Sequence, residues 1–151
     1  MLNAFSSAES VQDLSFLVLP VGRNKDSDRM ADDFIVRQTL KKTLHPYAQV
    51  EVVGEASNGE EALLIVPQLQ PTVIMMDIVM PRLDGIASTR LLKTLYPNIA
   101  VIGVSARAKS YEVNAMLEAG AFQVITKENA GHDLYQAIQR AVETIQSDSA
   151  G

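Results

Sequence analysis

The sequence predicts an α/β domain built on one doubly wound, five-stranded parallel sheet. Three observations point there. Short apolar or β-branched runs bounded by turn residues recur at 14–19, 50–56, 72–77, 100–105 and 123–126. Stretches with apolar residues at helical spacing lie between them. The last three runs each end at a side chain with chemistry to offer, Asp77, Ser105 and Lys127. Strands alternating with helices through short connections pair in parallel, by right-handed crossovers, with helices on both faces.

The composition bounds the function. A chain of 151 residues is one domain by size and buries a core without staples. It has no cysteine, which excludes a disulfide framework and thiolate chemistry. Its two histidines, His45 and His132, are far apart and offer no zinc spacing. The net charge is −5, with no dense block of Lys and Arg. Direct nucleic-acid binding by this domain is therefore disfavoured, because neutralising phosphates needs a basic face. No apolar run reaches membrane-spanning length, and no basic segment followed by an apolar core opens the chain. A cytoplasmic protein with no membrane attachment is expected.

Taken in order, residues 1–13 read as a loose N-terminal extension. Leu14 to Leu19 is a short buried strand ended by Pro20 and Gly22. Residues 23–29 are polar and form a loop. Asp32 and Asp33 precede a helix over 34–44, with Phe34 or Val36, Leu40 and Leu44 on one face and His45-Pro46 as its stop. Val50 to Ala56 is the second strand. Ser57 and Glu60 form a capping box for the next helix, in which Ala62, Leu63, Val66 and Leu69 share a face. Pro67 should kink or shorten that helix.

Thr72 to Met76 is an uninterrupted apolar run into Asp77, the pattern of a strand buried on both faces. A helix over 85–95 buries Ile86, Leu91, Leu92 and Leu95. Ala100 to Ser105 is the fourth strand. A helix over 110–119 carries Val113, Met116 and Leu117 and stops at Gly120, a left-handed terminator. Gln123 to Thr126 is the fifth strand, ended by Lys127. The last helix carries Leu134, Ile138, Ala141, Val142 and Ile145 on one stripe, and 147–151 is a polar tail, so the domain proper is 14–146. At this length the common arrangement is the flavodoxin-like (βα)5 order 2-1-3-4-5. The connection after the first strand is the exception, about ten residues longer than the usual two to six.

In an open parallel sheet, ligands bind outside the carboxyl ends of the strands. Asp77, Ser105 and Lys127 share that edge. A carboxylate, a hydroxyl and an ammonium around one point suit a phosphoryl group that becomes attached to the carboxylate. Magnesium, held by one or two carboxylates plus waters, would neutralise its oxygens. The ammonium would act as a point charge on one oxygen and the hydroxyl would donate to another. Taken singly, each residue has a blander role: a capping Asp, a turn Ser, a solvated Lys on a packed stem.

Asp77-x-x-Met80-Pro81-x-x-Asp84-Gly85, Val104-Ser105-Ala106, and Ala119-Gly120-Ala121 ahead of Lys127 together resemble the receiver domain of bacterial two-component response regulators. Residues 50–63 look especially like the LuxR-type branch. The resemblance implies that Asp77 is the phosphorylation site, charged by a histidine kinase or a small phosphodonor. It implies that Lys127 and Ser105 contact the phosphoryl group. It also implies that the Val79 carbonyl joins Asp77 as a magnesium ligand. Beyond self-phosphorylation and self-dephosphorylation at Asp77, no enzyme activity is expected.

Two departures stand out. Such domains carry an acidic pair at the end of the first strand, where this chain reads Pro20-Val21. Counting back from Arg37-Gln38 brings Asp32 and Asp33 within one residue of that pair, which makes them the metal candidates. Asp26 or Asp28 reaching in, or an incomplete pocket, are the alternatives. The other departure is Val124, three residues before Lys127, where an aromatic is common. By strand alternation Phe122 should point to the same face as Val124.

The leading expectation is a phosphorylation switch that remodels an interaction surface. Its partners are a histidine kinase and a downstream protein or an output domain beyond this chain, with a homodimer as a further possibility. The alternative is a degenerate receiver that binds a partner without phosphorylation. A small aspartyl-phosphate hydrolase is disfavoured, because it needs a second Asp two residues after the nucleophile and position 79 is Val.

Overall fold

The computed structural model describes residues 14–18, 42, 50–56, 59–78, 85–105, 109–126 and 128–150. Five parallel strands form one sheet in the order β2-β1-β3-β4-β5, as the alternation predicts. They are β1 Leu14–Val18, β2 Val50–Glu55, β3 Val73–Asp77, β4 Ala100–Ser105 and β5 Gln123–Thr126. The described helices are α1 Gly59–Leu69, α2 Gly85–Leu95, α3 Ser110–Ala119 and α4 Ala130–Ala150. The helix expected over 34–44 and the Ser57 capping box lie outside the described residues.

Each face of the sheet has its own core. On one, Val73, Met75, Ile102, Val104 and Ile125 meet the α4 stripe of Leu134, Ala137, Ile138 and Ala141. On the other, Ile74, Met76, Ile78 and Val101 meet Ala62 and Val66 of α1, Leu92 of α2 and Met116 of α3. Every residue of β3 and β4 is buried, which is why neither shows an alternating pattern. The register of β1 against β2 shifts between Phe16 and Leu17.

Several elements differ from expectation for local reasons. Helix α1 runs through Pro67 to Leu69, so the proline does not cut it short of its last apolar residue. Pro67 sits in its last turn, and the helix closes with Gln70 at φ 49° donating its N–H to Val66 O at 2.8 Å. In α2 the buried residues are Gly85, Ser88, Thr89 and Leu92. Ile86 is only half-buried, and Leu91 and Leu95 are exposed, at 42% and 60%. The inward stripe thus includes two small hydroxyl residues, and Thr89 donates to the Met116 sulfur of α3 at 3.8 Å. In α3 Met116 is buried, while Leu117 is exposed. Phe122 precedes β5 at a bend, so alternation does not govern it. It packs on the α4 side, whereas Val124 packs on the α2–α3 side.

The remaining ends follow local chemistry. Gly120 closes α3 at φ 115°, and Ala121 N–H donates to Met116 O at 3.0 Å. Lys93 lays its stem beneath Gly120 and donates from Nζ to Pro97 O and Ile99 O, both at 2.8 Å. Partial burial holds its ammonium below the usual lysine range. Helix α4 continues to Ala150, through residues that read as a tail. Among the described residues no helix is long and apolar enough to cross a membrane.

Candidate functional site

The carboxyl edge of the sheet is where sequence and fold converge. Asp77 is the last residue of β3, the central strand, and is 4% exposed. Ser105 is the last residue of the neighbouring β4 and is 5% exposed. A buried carboxylate and a buried hydroxyl at adjacent strand ends are costly unless the surroundings use them.

The register sets their spacing. Asp77 pairs with Val104, and Ile78 N–H continues the ladder to Val104 O at 3.3 Å. Ser105 is one position further along β4 and pairs with Thr126 of β5. The two residues thus stand one register step apart, on neighbouring strands. Thr126 accepts the Asn129 N–H on both its carbonyl oxygen, at 3.1 Å, and its hydroxyl, at 3.3 Å. That turn leads from β5 into α4.

Gly85 seats α2 against the acceptor strand. A Cβ built there would collide with the Asp77 carbonyl oxygen and lie 2.8 Å from Ile78 Cα. The Gly85 N–H donates to Ile78 O at 3.1 Å. Only a residue without a side chain allows this approach. The contact ties the start of α2 to the peptide that carries Asp77.

Of the site residues expected from sequence, Asp77 and Ser105 are brought to one edge. Lys127, Asp32, Asp33 and Val79 lie outside the described residues, as do Asp26 and Asp28. Magnesium takes hard oxygen donors, usually one or two carboxylates with waters. The Asp77 carboxylate fits one such position. Among the described residues no group of three His, Cys, Asp or Glu side chains forms a metal cluster.

Sequence reasoning passes over one neighbour of the site. Gly103, two residues before Ser105, faces Met116 and Val124. Its signal is present in the sequence, because an isolated Gly inside a strand marks a close approach.

The profile of the response regulator receiver domain matches residues 30–139. Over 108 residues the chain is 34% identical to the response regulator GacA of Pseudomonas protegens, a match covering 72% of this chain and 51% of that protein. It is 31% identical to the response regulator protein VraR of Staphylococcus aureus over 109 residues, 72% of this chain and 52% of that protein. The chain therefore spans about half the length of these curated relatives. Among solved structures, the response regulator domain of Thermotoga maritima CheB superposes with a TM-score of 0.70 at 27% identity, covering 86% of this chain and 96% of that one. The signal receiver domain of a modulated diguanylate cyclase from Desulfovibrio desulfuricans shares the fold, with a TM-score of 0.74 at 22% identity over 90% of this chain and 99% of that one. With its fold, its motif spacing and these matches in agreement, the chain belongs to the response regulator receiver domain family.

Proposed function

We propose that the chain is a phosphoacceptor switch that takes its phosphoryl group on Asp77. The observation that carries this reading is the burial of Asp77 at the carboxyl end of the central strand, one register step from the buried Ser105. An Asp77 carboxylate oxygen attacks phosphorus while the bond from phosphorus to the donor breaks. The donor is a histidine kinase phosphohistidine or a small acyl phosphate. The donor atom leaves with the bonding pair, and Asp77 becomes an acyl phosphate. The Ser105 hydroxyl donates to one phosphoryl oxygen and the Lys127 ammonium neutralises another. Asp77, the Val79 carbonyl and Asp32 or Asp33 would hold magnesium. When bound, the ion supplies positive charge that offsets the repulsion between carboxylate and phosphoryl oxygens.

The added negative charge draws Ser105 inward and biases the β4, α3 and β5 surface between two arrangements. A downstream protein, an output domain or a second copy of the chain reads that surface. The setting is cytoplasmic. A second reading, a degenerate receiver that binds its partner unphosphorylated, is favoured by Pro20-Val21 standing where the acidic pair belongs.

Intact mass after incubation with acetyl phosphate and magnesium separates the two. The phosphoacceptor reading expects one added phosphoryl group on the wild type and none on Asp77→Asn. An unlabelled wild type supports the degenerate reading. An Asp77→Asn chain that labels as well as wild type moves the acceptor elsewhere.

A further inference from the structure

Strand β4 carries a notch on the face covered by α2 and α3. It lies at Gly103, where a Cβ would sit 3.0 Å from Met116 Cε and 3.2 Å from Val124 Cγ2. The Met116 methyl thus occupies space that a side chain on β4 would otherwise fill. Met116 is fully buried, and so is Thr89 of α2, whose hydroxyl donates to the Met116 sulfur at 3.8 Å. One thioether therefore touches three elements: α3 through its own backbone, α2 through Thr89, and β4 through the notch.

The notch has a direct mechanical relation to the site. Gly103 and Ser105 are two residues apart on one continuous strand and face the same way. Gly103 pairs with Met76, the residue before Asp77, and with Val124 on β5. A displacement of Ser105 passes along the strand through Val104 to Gly103, and there it meets the end of an unbranched side chain with three rotatable bonds. Methionine refills an altered gap by changing rotamer, which a β-branched residue does poorly. Val124 borders the same gap but is stiff at χ1.

We propose that Met116, seated in the Gly103 notch and hydrogen-bonded to Thr89, is the moving contact that transmits a displacement of Ser105 from β4 into α3. It is a positioning residue, and its role rests on the reading of Asp77 as phosphoacceptor.

The test uses the full chain with methyl-labelled methionine, the Met116 resonance being assigned by its loss in Met116→Leu. Beryllofluoride with magnesium serves as the phosphoryl mimic, and the fluorine resonance of the bound mimic reports occupancy separately. The Met116 methyl is expected to shift in step with occupancy. In Gly103→Ala, where the notch is filled, that shift should fall by at least half at equal occupancy. Should Gly103→Ala fail to fold, Thr89→Val, which removes the hydroxyl at nearly constant volume, should change the size of the Met116 shift at equal occupancy.

An occupied site with an unmoved Met116 methyl overturns the coupling and leaves the phosphoacceptor reading standing. A Met116 shift identical in wild type and the folded variants also overturns it. No bound-mimic fluorine signal, together with no labelling by acetyl phosphate, removes the phosphoacceptor reading and the coupling with it.

Discussion

Among the described residues, one face of the sheet meets α4 through a stripe of Leu134, Ala137, Ile138 and Ala141, all fully buried. On the other, the described residues of α1, α2 and α3 meet the sheet, with a glycine notch at Gly103 and the Met116 thioether accepting from the buried Thr89 hydroxyl. The first arrangement has few ways to repack. Leu134 and Ile138 pack among Val73, Met75 and Ile102 of the sheet, and a shift in one opens a void. The second sets a flexible side chain, Met116, against a glycine, Gly103, where α3 touches β4. The difference teaches how a receiver would combine stability with motion: the α4 face would hold the sheet while Met116, at the Gly103 notch, follows the strand ends. Asp77 and Ser105 stand at the edge between them.

The comparison breaks most visibly at Leu134. Leu134→Ala should cost about 2–5 kcal/mol, because a cavity in a clamped face cannot collapse. Urea unfolding measures it, and beryllofluoride binding by the folded fraction should be unchanged. Gly85→Ala should cost about 1–3 kcal/mol through overpacking and should also weaken labelling of Asp77, since the new methyl lands on that residue's own carbonyl. Equal labelling at equal folded fraction would separate α2 from the acceptor strand. Met116→Leu conserves volume on the adaptable face and should cost less than about 1.5 kcal/mol. A loss as large as that at Leu134 would show the two faces to be equally rigid.

The smallest effect concerns pH. Burial lowers the Lys93 pKa in the folded chain. In the alkaline window between its folded and unfolded values, the unfolded chain therefore holds more protons. The contribution of Lys93 to stability rises with pH across that window. The rise is slight, because the side chain keeps contact with solvent. Urea midpoints across the alkaline range, wild type against Lys93→Met, should differ in slope in that direction.

How much the sequence discloses follows the same division. Strands β3 and β4 are legible because every residue ahead of Asp77 and Ser105 is non-polar, and the α4 stripe because its apolar residues recur at helical spacing. Strand order follows from alternation and short connections. Asp77 and Ser105 are legible because a polar residue that closes a buried strand must sit at its open end, where ligands bind. The adaptable face is harder to read. Leucines at 91 and 95 suggest the buried stripe of α2, yet both are exposed and Ser88 and Thr89 are buried along with Leu92. Hydrophobicity ranks side chains by transfer, whereas close helix approach selects for size. Alternation puts Phe122 on the face of Val124, but a bend before β5 sends it to the other core. The Gly103 notch has no counterpart in a hydropathy pattern, because its meaning depends on a methionine thirteen residues later.

The central claim is that Asp77 itself carries the phosphoryl group. Borohydride reduces an aspartyl phosphate at the acyl carbon and leaves homoserine, so treating the acetyl phosphate-charged chain and mapping its peptides by mass spectrometry locates the acceptor directly. Homoserine is expected at position 77 alone, dependent on acetyl phosphate. Homoserine at another aspartate, with residue 77 unchanged, would contradict the claim.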